Sequence, residues 1–379
     1  MAAVIRPTFD PGFSTPDLAD AFSGAARIGH MLEFEASLAL VESRHGIVPQ
    51  DAAVAIARTC RSVQVDPLLI EAEGWNVGTP LVPLLDAVRG ALTDSHARWL
   101  HHGATTQDAV DTAAMRQSRV GIGYLTASVT STETRLRRLA DEHRSTPVTG
   151  RTFLQPARGT TFGWVLEGWR LMLARDRSQL AELRDSLPVQ LGGPVGDLQS
   201  LGDLAGAVLD DLASELDLAA PPVPWHGDRG PVRAVASALV GVAGTVAKIA
   251  EDLILLAQYG EVRMRSGGSS SMPHKRNPID AIHARAAAAA GIAAAHAITG
   301  APPHELQRSA GSWHTEWWAL PMAFQCVGAS VQALARAVDT LEVDTGTMST
   351  NLTAAGLTAP DSSSASVLLG RIHEEADET

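Results

Sequence analysis

The chain has 379 residues, 45% of them apolar and 19% charged, which is enough to bury a sizeable core in two or three domains and excludes wholesale disorder. Its 30 lysines and arginines face 42 aspartates and glutamates, a net charge of −12, which argues against a nucleic-acid partner and still permits a locally cationic site for a small anion. Cys60 and Cys326 make neither a disulfide framework nor a zinc site, the N-terminus lacks a basic start followed by an apolar run, and no stretch reaches about 18 consecutive apolar residues, so the expectation is a cytoplasmic protein without signal peptide or membrane span.

From Pro16 to Arg44 the apolar residues Ile28, Met31, Leu32, Leu38 and Val41 recur at helical spacing, with Gly46 as a stop. Asp108 to His143 contains no proline and predicts one helix of roughly ten turns. A third long helix opens near Thr160 and runs to about Asp185, before Pro188, Gly192, Gly193 and Pro194 break the chain. The stretch 201–216 is shorter and amphipathic. Pro231 suits the first turn of a helix reaching Tyr259. A Gly/Ser loop follows, then an alanine-dominated helix over 279–299. The last long helix spans about Ser309 to Leu341, with Pro321 marking a kink or a restart. Beyond Asn351 the chain reads as loop and acidic tail. These features predict an all-α protein built on an elongated long-helix bundle. The expected divisions are an N-terminal helical domain over 1–107, the central bundle over 108–343 and a short C-terminal remnant over 344–379. Helices this long and this rich in alanine and leucine expose apolar faces that one chain cannot cover, which predicts a homo-oligomer.

The segment Gly267-Gly268-Ser269-Ser270-Ser271-Met272-Pro273-His274-Lys275-Arg276-Asn277-Pro278 is the richest in chemistry. Glycines let backbone N–H groups turn toward an anion, the following helix N-terminus adds partial positive charge, Lys275 a full charge and Asn277 a donor and an acceptor. Such a loop can stabilise an oxyanion or enolate. The competing reading is a polar flexible linker.

This segment resembles the signature loop of the fumarase/aspartase superfamily, and two more segments fall in that family's order. His101-His102-Gly103-Ala104-Thr105-Thr106-Gln107-Asp108 resembles its first motif, with Thr106 where serine is usual, and Gly150-Arg151-Thr152-Phe153-Leu154-Gln155 resembles its second. The segments HHGATTQDAVDTA, PWHGDR (224–229) and QRSAGSWHTEW (307–317) are similar to those of the carboxymuconate cycloisomerases within that superfamily.

The resemblance implies a homotetramer whose three motifs, from three subunits, meet at each site. It also implies cofactor-independent lactonisation of 3-carboxy-cis,cis-muconate to 4-carboxymuconolactone in aromatic catabolism. The alternative is another lyase of the superfamily, eliminating a weakly basic anion or an amine from a succinyl-type substrate. The implied partner is a small anionic polycarboxylate. Carried over by position, Ser269 handles the proton alpha to a carboxylate. Lys275 and Asn277 hold the carboxylate and the aci-carboxylate that develops on it, and His101 acts beside them. Thr79, Thr105, Thr106, Thr152, Gln155, Ser270 and Met272 line the pocket, and Arg308 adds a carboxylate clamp. No residue cluster has metal-ligand spacing and no nucleotide motif appears, so no metal and no cofactor are implied.

Many of these lyases have His after Gly-Arg-Thr as a general acid or base. Here Phe153 stands there, and it transfers no proton. Amine and hydroxide leaving groups need protonation, whereas a carboxylate, whose conjugate acid has a pKa near ~4, does not. Phe153 therefore favours lactone chemistry; the other reading, a scaffold that lost activity, conflicts with an intact Ser269, Lys275 and Asn277. Asp228 replaces the usual glutamine of the PWH segment. The chain also ends soon after Asn351, where family members continue with a small helical domain. His102 is expected to be structural. The cluster of Trp313, His314, Trp317 and Trp318 fits core or subunit interface better than a stacking platform.

Overall fold

The structure, a computed structural model, describes residues 11–267, 272, 275–361 and 368. In chain order the helices are α1 (Pro16–Ala21), α2 (Gly24–Arg44), α3 (Gln50–Ser62), α4 (Pro67–Val77), α5 (Leu81–Gly90), α6 (Asp94–Ala97) and α7 (Thr106–Glu142). A hairpin of β1 (Pro147–Thr152) and β2 (Gln155–Thr161) leads into α8 (Phe162–Ser186), α9 (Ala205–Glu215) and α10 (Gly230–Gln258). The short strands β3 (Val262–Arg263), β4 (Ser266–Gly267) and β5 (Asn277–Pro278) precede α11 (Ile279–Thr299) and α12 (Ser312–Asp339), and β6 (Glu342–Val343) and α13 (Thr345–Ala354) close the order. The protein is all-α in architecture, as the periodicity predicts, with three antiparallel two-stranded pieces among the described residues.

The bundle consists of α7, α8, α10, α11 and α12. Helix α10 shows why it forms: Val232, Val235, Ala236, Leu239, Val242, Ala243, Val246, Ile249, Ala250 and Leu253 are buried. Spaced by threes and fours, they make one apolar stripe. Helices α7, α10 and α12 start at the same end, because Arg229, just before α10, and Trp313, in the first turn of α12, both bond Asp111 near the start of α7. Helix α8 runs back beside α7, tied by Arg177 to Glu133 and to α10 by Trp169 Nε1 donating to Asp252. Pro321 does not interrupt α12. A second apolar cluster joins α2, α3 and α5 to Val189, Leu191, Leu198, Leu212 and Trp313, so the chain between α8 and α10 returns to pack against the N-terminal helices.

Two local features differ from the sequence expectation. The region 16–44 is two helices, because the chain turns at Phe22–Ser23 and Ser23 caps α2 by accepting the Ala26 N–H. The segment carrying the second motif is a hairpin, without the apolar alternation that marks a half-buried strand. The first four residues of β2 are exposed and only its end, Gly159 to Thr161, is covered, so its geometry comes from cross-strand hydrogen bonds and the turn.

Two glycines on α8 should respond oppositely to alanine. A Cβ on Gly163 would lie 2.6 Å from the Ala140 carbonyl oxygen and 2.7 Å from the Arg144 Cα, backbone that cannot yield, so Gly163→Ala should cost about 1–3 kcal/mol. A Cβ on exposed Gly168 meets nothing within 4 Å, so Gly168→Ala should stabilise by about 0.5–1 kcal/mol. Thermal midpoints moving the same way in both variants would contradict this packing.

Candidate active site

At one end of the bundle, the start of α7 is built around two buried carboxylates. Asp108, the third residue of α7, accepts the N–H groups of Thr105 (2.9 Å) and Gly193 (3.0 Å) on Oδ2. Its Oδ1 pairs with His226 Nε2 at 2.6 Å. One turn on, Asp111 takes both terminal nitrogens of Arg229 (2.7 and 3.0 Å), Trp313 Nε1 (2.8 Å) and the Gln107 side-chain amide (3.0 Å). Arg229 also donates to Glu316 from Nε (3.1 Å) and Nη2 (2.6 Å). Burial opposes the Arg229 charge, but Asp111 and Glu316 outweigh it and hold the guanidinium protonated more firmly than usual. Glu316 itself is pushed up by burial, against the pull of Arg229. The PWHGDR and SWHTEW segments thus meet at one charged node that fixes the starts of three helices. Asp228, the departure in that segment, is exposed and accepts the Gly230 N–H at 2.8 Å, a local turn two residues on that an aspartate side chain supports well.

Around this node lie five of the sequence-predicted site residues. Thr105 Oγ1 accepts from Arg308 Nη2 at 2.6 Å, and Thr106 is the first residue of α7. Thr79 is buried in the turn before α5, its hydroxyl accepting the Leu81 N–H at 3.3 Å. The adjacent Gly78 carbonyl lies 3.1 Å from His314 Nε2 in the first turn of α12. His101 has a left-handed backbone, φ 63°, and its Nδ1 lies 2.7 Å from Oε1 of Glu35 on α2. His102 pairs with Glu42, two turns further along α2, at 2.8 Å. That hydrogen bond raises the His102 pKa against its burial. His102 is therefore a staple between loop and helix. Trp313 is buried, Trp317 packs against it edge to face at 4.8 Å and Trp318 is exposed.

The remaining predicted residues that the structure describes lie at the opposite end. Thr152 and Gln155 form the last register pair of the hairpin. The turn between them is Phe153–Leu154, with φ of 51° and 62°, the double left-handed geometry that usually selects Asn-Gly. Phe153 is fully exposed and Leu154 largely so. Below the tip, Arg151 grips the buried Glu261 with two bonds (2.7 and 3.0 Å) and stacks over Tyr259 at 4.1 Å. The loop of the third motif is held at its stem by two pairs, Ser266↔Pro278 and Gly267↔Asn277. Asp280 at the start of α11 is gripped by Arg265 (2.9 Å to each oxygen) and Arg336 (3.0 Å). Burial works against its charge, but the two guanidiniums hold its carboxyl below the usual range. Lys275 and Met272 are exposed and Asn277 half-buried; Ser269 and Ser270 lie outside the described residues.

Thus the candidate site residues form two groups. Thr79, His101, Thr105, Thr106 and Arg308 sit where α7 begins; Thr152, Gln155, Met272, Lys275 and Asn277 sit where it ends. The 37 residues of α7 rise about 55 Å at ~1.5 Å each, so one chain does not bring the groups together. Sequence reasoning missed Glu35, Glu42, Asp111 and Glu316. Glu35 and Glu42 lie on α2 outside the three motifs, whereas Asp111 and Glu316 fall inside segments that resemble the family's without a role of their own to mark them, and each acquires meaning only from a cation brought to it from far along the chain. Among the described residues no group of three or more His, Cys, Asp and Glu side chains is arranged to hold a metal ion.

Arg229→Leu should leave Asp111 and Glu316 buried without their counter-charge and cost about 3–5 kcal/mol. Urea unfolding would measure the loss, and a variant within 1 kcal/mol of the parent would show that the node does not hold the helix starts.

The lyase family's sequence model, described as Lyase, matches residues 15–291. The chain is 39% identical over 354 residues to the 3-carboxy-cis,cis-muconate cycloisomerase of Pseudomonas aeruginosa, covering 91% of this chain and 77% of that protein. It is 34% identical to the nitrosuccinate lyase of Streptomyces davaonensis, covering 89% of this chain and 74% of that one. The crystal structure of the 3-carboxy-cis,cis-muconate lactonizing enzyme from Pseudomonas putida superposes with a TM-score of 0.85 at 35% identity, over 91% of this chain and 79% of that one. With the three motifs in order on a long-helix bundle, the chain belongs to the lyase family of the fumarase/aspartase superfamily and is an enzyme similar to its carboxymuconate cycloisomerases.

Proposed function

We propose that the enzyme catalyses the cofactor-independent lactonisation of 3-carboxy-cis,cis-muconate to 4-carboxymuconolactone, a cytoplasmic step of aromatic catabolism. It would do so as a homotetramer whose sites are shared between subunits. The observation that carries the choice of reaction is the 39% identity to a protein of that name, while Phe153 at the tip of the hairpin disfavours leaving groups that need protonation. An apolar ring at this position supplies no proton. In lactonisation a carboxylate oxygen of the substrate adds to the alkene, and the electron pair moves onto the carbon alpha to a second carboxylate. That carbon then takes a proton from the Ser269 hydroxyl, which later regains one. In reverse the leaving group is a carboxylate, which departs unprotonated. Lys275 and Asn277 would neutralise the aci-carboxylate, with Arg308, Thr105, Thr106 and Thr79 on the remaining carboxylates and Thr152, Gln155, Ser270 and Met272 closing the pocket.

The shared-site reading rests on the separation along α7 and on the outward faces of the bundle. On α10 the exposed positions include Ala234, Ser237, Gly241 and Gly244, and on α11 Ala286, Ala289 and Ala293. Small side chains on two long helices suit close packing of further helices. Elimination of a weakly basic anion, such as nitrite from a succinyl-type substrate, is the second reading; Phe153 permits it equally, and the 34% identity to a nitrosuccinate lyase favours it over amine elimination.

An ultraviolet assay with 3-carboxymuconate beside nitrosuccinate, fumarate and argininosuccinate tests the choice, and turnover of the triacid far above the others is the expected outcome. Ser269→Ala should lower kcat at least ~10²-fold with ligand affinity retained, and Phe153→His should not accelerate the native reaction. A faster Phe153→His enzyme would mean that the chemistry wants an acid at the tip. Sites shared between copies also predict complementation. Lys275→Ala and Arg308→Ala proteins, each impaired alone, should regain part of the activity when dissociated together and reassembled. Sedimentation of a fully active monomer would refute the sharing.

A further inference from the structure

Resting on the proposed site, we infer that Glu35 is a positioning residue for His101: from α2, without touching substrate, its carboxylate holds the imidazole as a cationic donor toward a substrate carboxylate. Among the described candidate site residues, His101 is the histidine, and Phe153 leaves the hairpin tip without one; His102, His226 and His314 beside it are engaged with Glu42, Asp108 and the Gly78 carbonyl. Glu35 itself is fully buried on α2, between Phe34 and Ala36. A carboxylate there is costly unless paired, and its pairing is the 2.7 Å bond to His101 Nδ1. That bond occupies the ring edge facing α2, which leaves Nε2 on the opposite edge, and among the described residues Nε2 makes no hydrogen bond. The side chain keeps 14% exposure, enough for a ligand to reach it. The left-handed backbone at His101, strained for a residue with a β-carbon, turns the two consecutive histidines onto separate carboxylates. His102 takes Glu42, so Glu35 serves His101 alone.

The charged groups facing the ring come from three helices. Burial works against the cation, but Glu35 on α2 and Asp108 on α7 favour it, Arg89 on α5 opposes it, and the net displacement is upward. Neighbouring Glu42 is engaged with His102 and is itself raised by burial. A raised histidine pKa means that the cation persists through neutral pH and is lost as pH rises past the shifted value. Glu35→Gln keeps the size and an acceptor but removes the charge, so burial then prevails and the ring becomes neutral at lower pH.

The test compares the parent with Glu35→Gln and Glu35→Asp, using histidine-selective isotope labelling to follow the ring titration, with His101→Asn to assign the signal. In Glu35→Gln the His101 midpoint should fall by at least about one pH unit, the lower end for losing an adjacent opposite charge. The alkaline limb of kcat/KM for 3-carboxymuconate should fall by the same interval. At pH 7.5 KM should rise about tenfold with kcat within threefold, and both should recover near pH 6, since uniform carboxylate binding is what is lost. Glu35→Asp, which retains the charge, should keep the midpoint within half a unit of the parent. An unchanged midpoint in Glu35→Gln, a midpoint shift that leaves the kinetic limb in place, or a parent midpoint below 6.5 would each overturn the inference. If Glu35→Gln does not fold, the parent and Glu35→Asp midpoints decide. If the parent does not turn over the triacid, the substrate reading fails, and the ring titrations, which need no substrate, still decide whether Glu35 sets the charge of His101.

Discussion

The rigid length of α7 governs the rest of the structure. A helix of 37 residues is a strut about 55 Å long, and the chain places chemistry at both of its ends. The groups at its start include hydroxyls, a guanidinium and an imidazole, and those at its end include a lysine and an amide beside a loop stem and a hydroxyl and an amide on a hairpin. No loop in the described chain crosses between these ends, since the bundle helices repeat the same span. A long rigid scaffold of this kind keeps the two groups of residues apart within one chain and fixes the spacing between them.

That spacing is useful only if the helix starts are themselves fixed, and the cost is visible in the buried charges. Arg229 lies between Asp111 and Glu316 with almost no solvent contact, an arrangement that apolar packing often matches in stability. Here it does what apolar contacts do poorly: it sets the orientation of three helices through directional, bidentate bonds. Asp108 acts likewise on a smaller scale, joining the first turn of α7 to the Gly193 loop and to His226. The two Glu–His pairs on α2 then pin the loop of the first motif from its other side.

At the far end the same device recurs. Asp280 between Arg265 and Arg336, and Glu261 under Arg151, anchor the bases of the third-motif loop and the hairpin. Phe153 at the hairpin tip and Lys275 beside the loop stem are both exposed. An exposed Phe-Leu pair in a doubly left-handed turn is disfavoured twice, by backbone strain and by hydration of apolar surface. Burial against a further copy of the chain would relieve the second cost, in line with a site assembled from several subunits.

The sequence by itself determined the helical class, the register of the long helices and the chemical character of the three motifs, because period, proline position and local residue type are properties of short stretches. Helix α11 begins and ends where its alanine run does, and α10 where Pro231 and the apolar stripe place it. The hairpin was not legible, since the first half of β2 is exposed and its residues carry no apolar alternation. Nor was the division of the site residues into two groups, which depends on the direction of each helix relative to the others. Glu35, Glu42, Asp111 and Glu316 look like ordinary helix-surface acids until their cations arrive from 66, 60, 118 and 87 residues away. Only tertiary packing decides that a carboxylate is buried and which charge meets it, because the energy of a buried charge depends on what surrounds it in space and not on its neighbours in the chain.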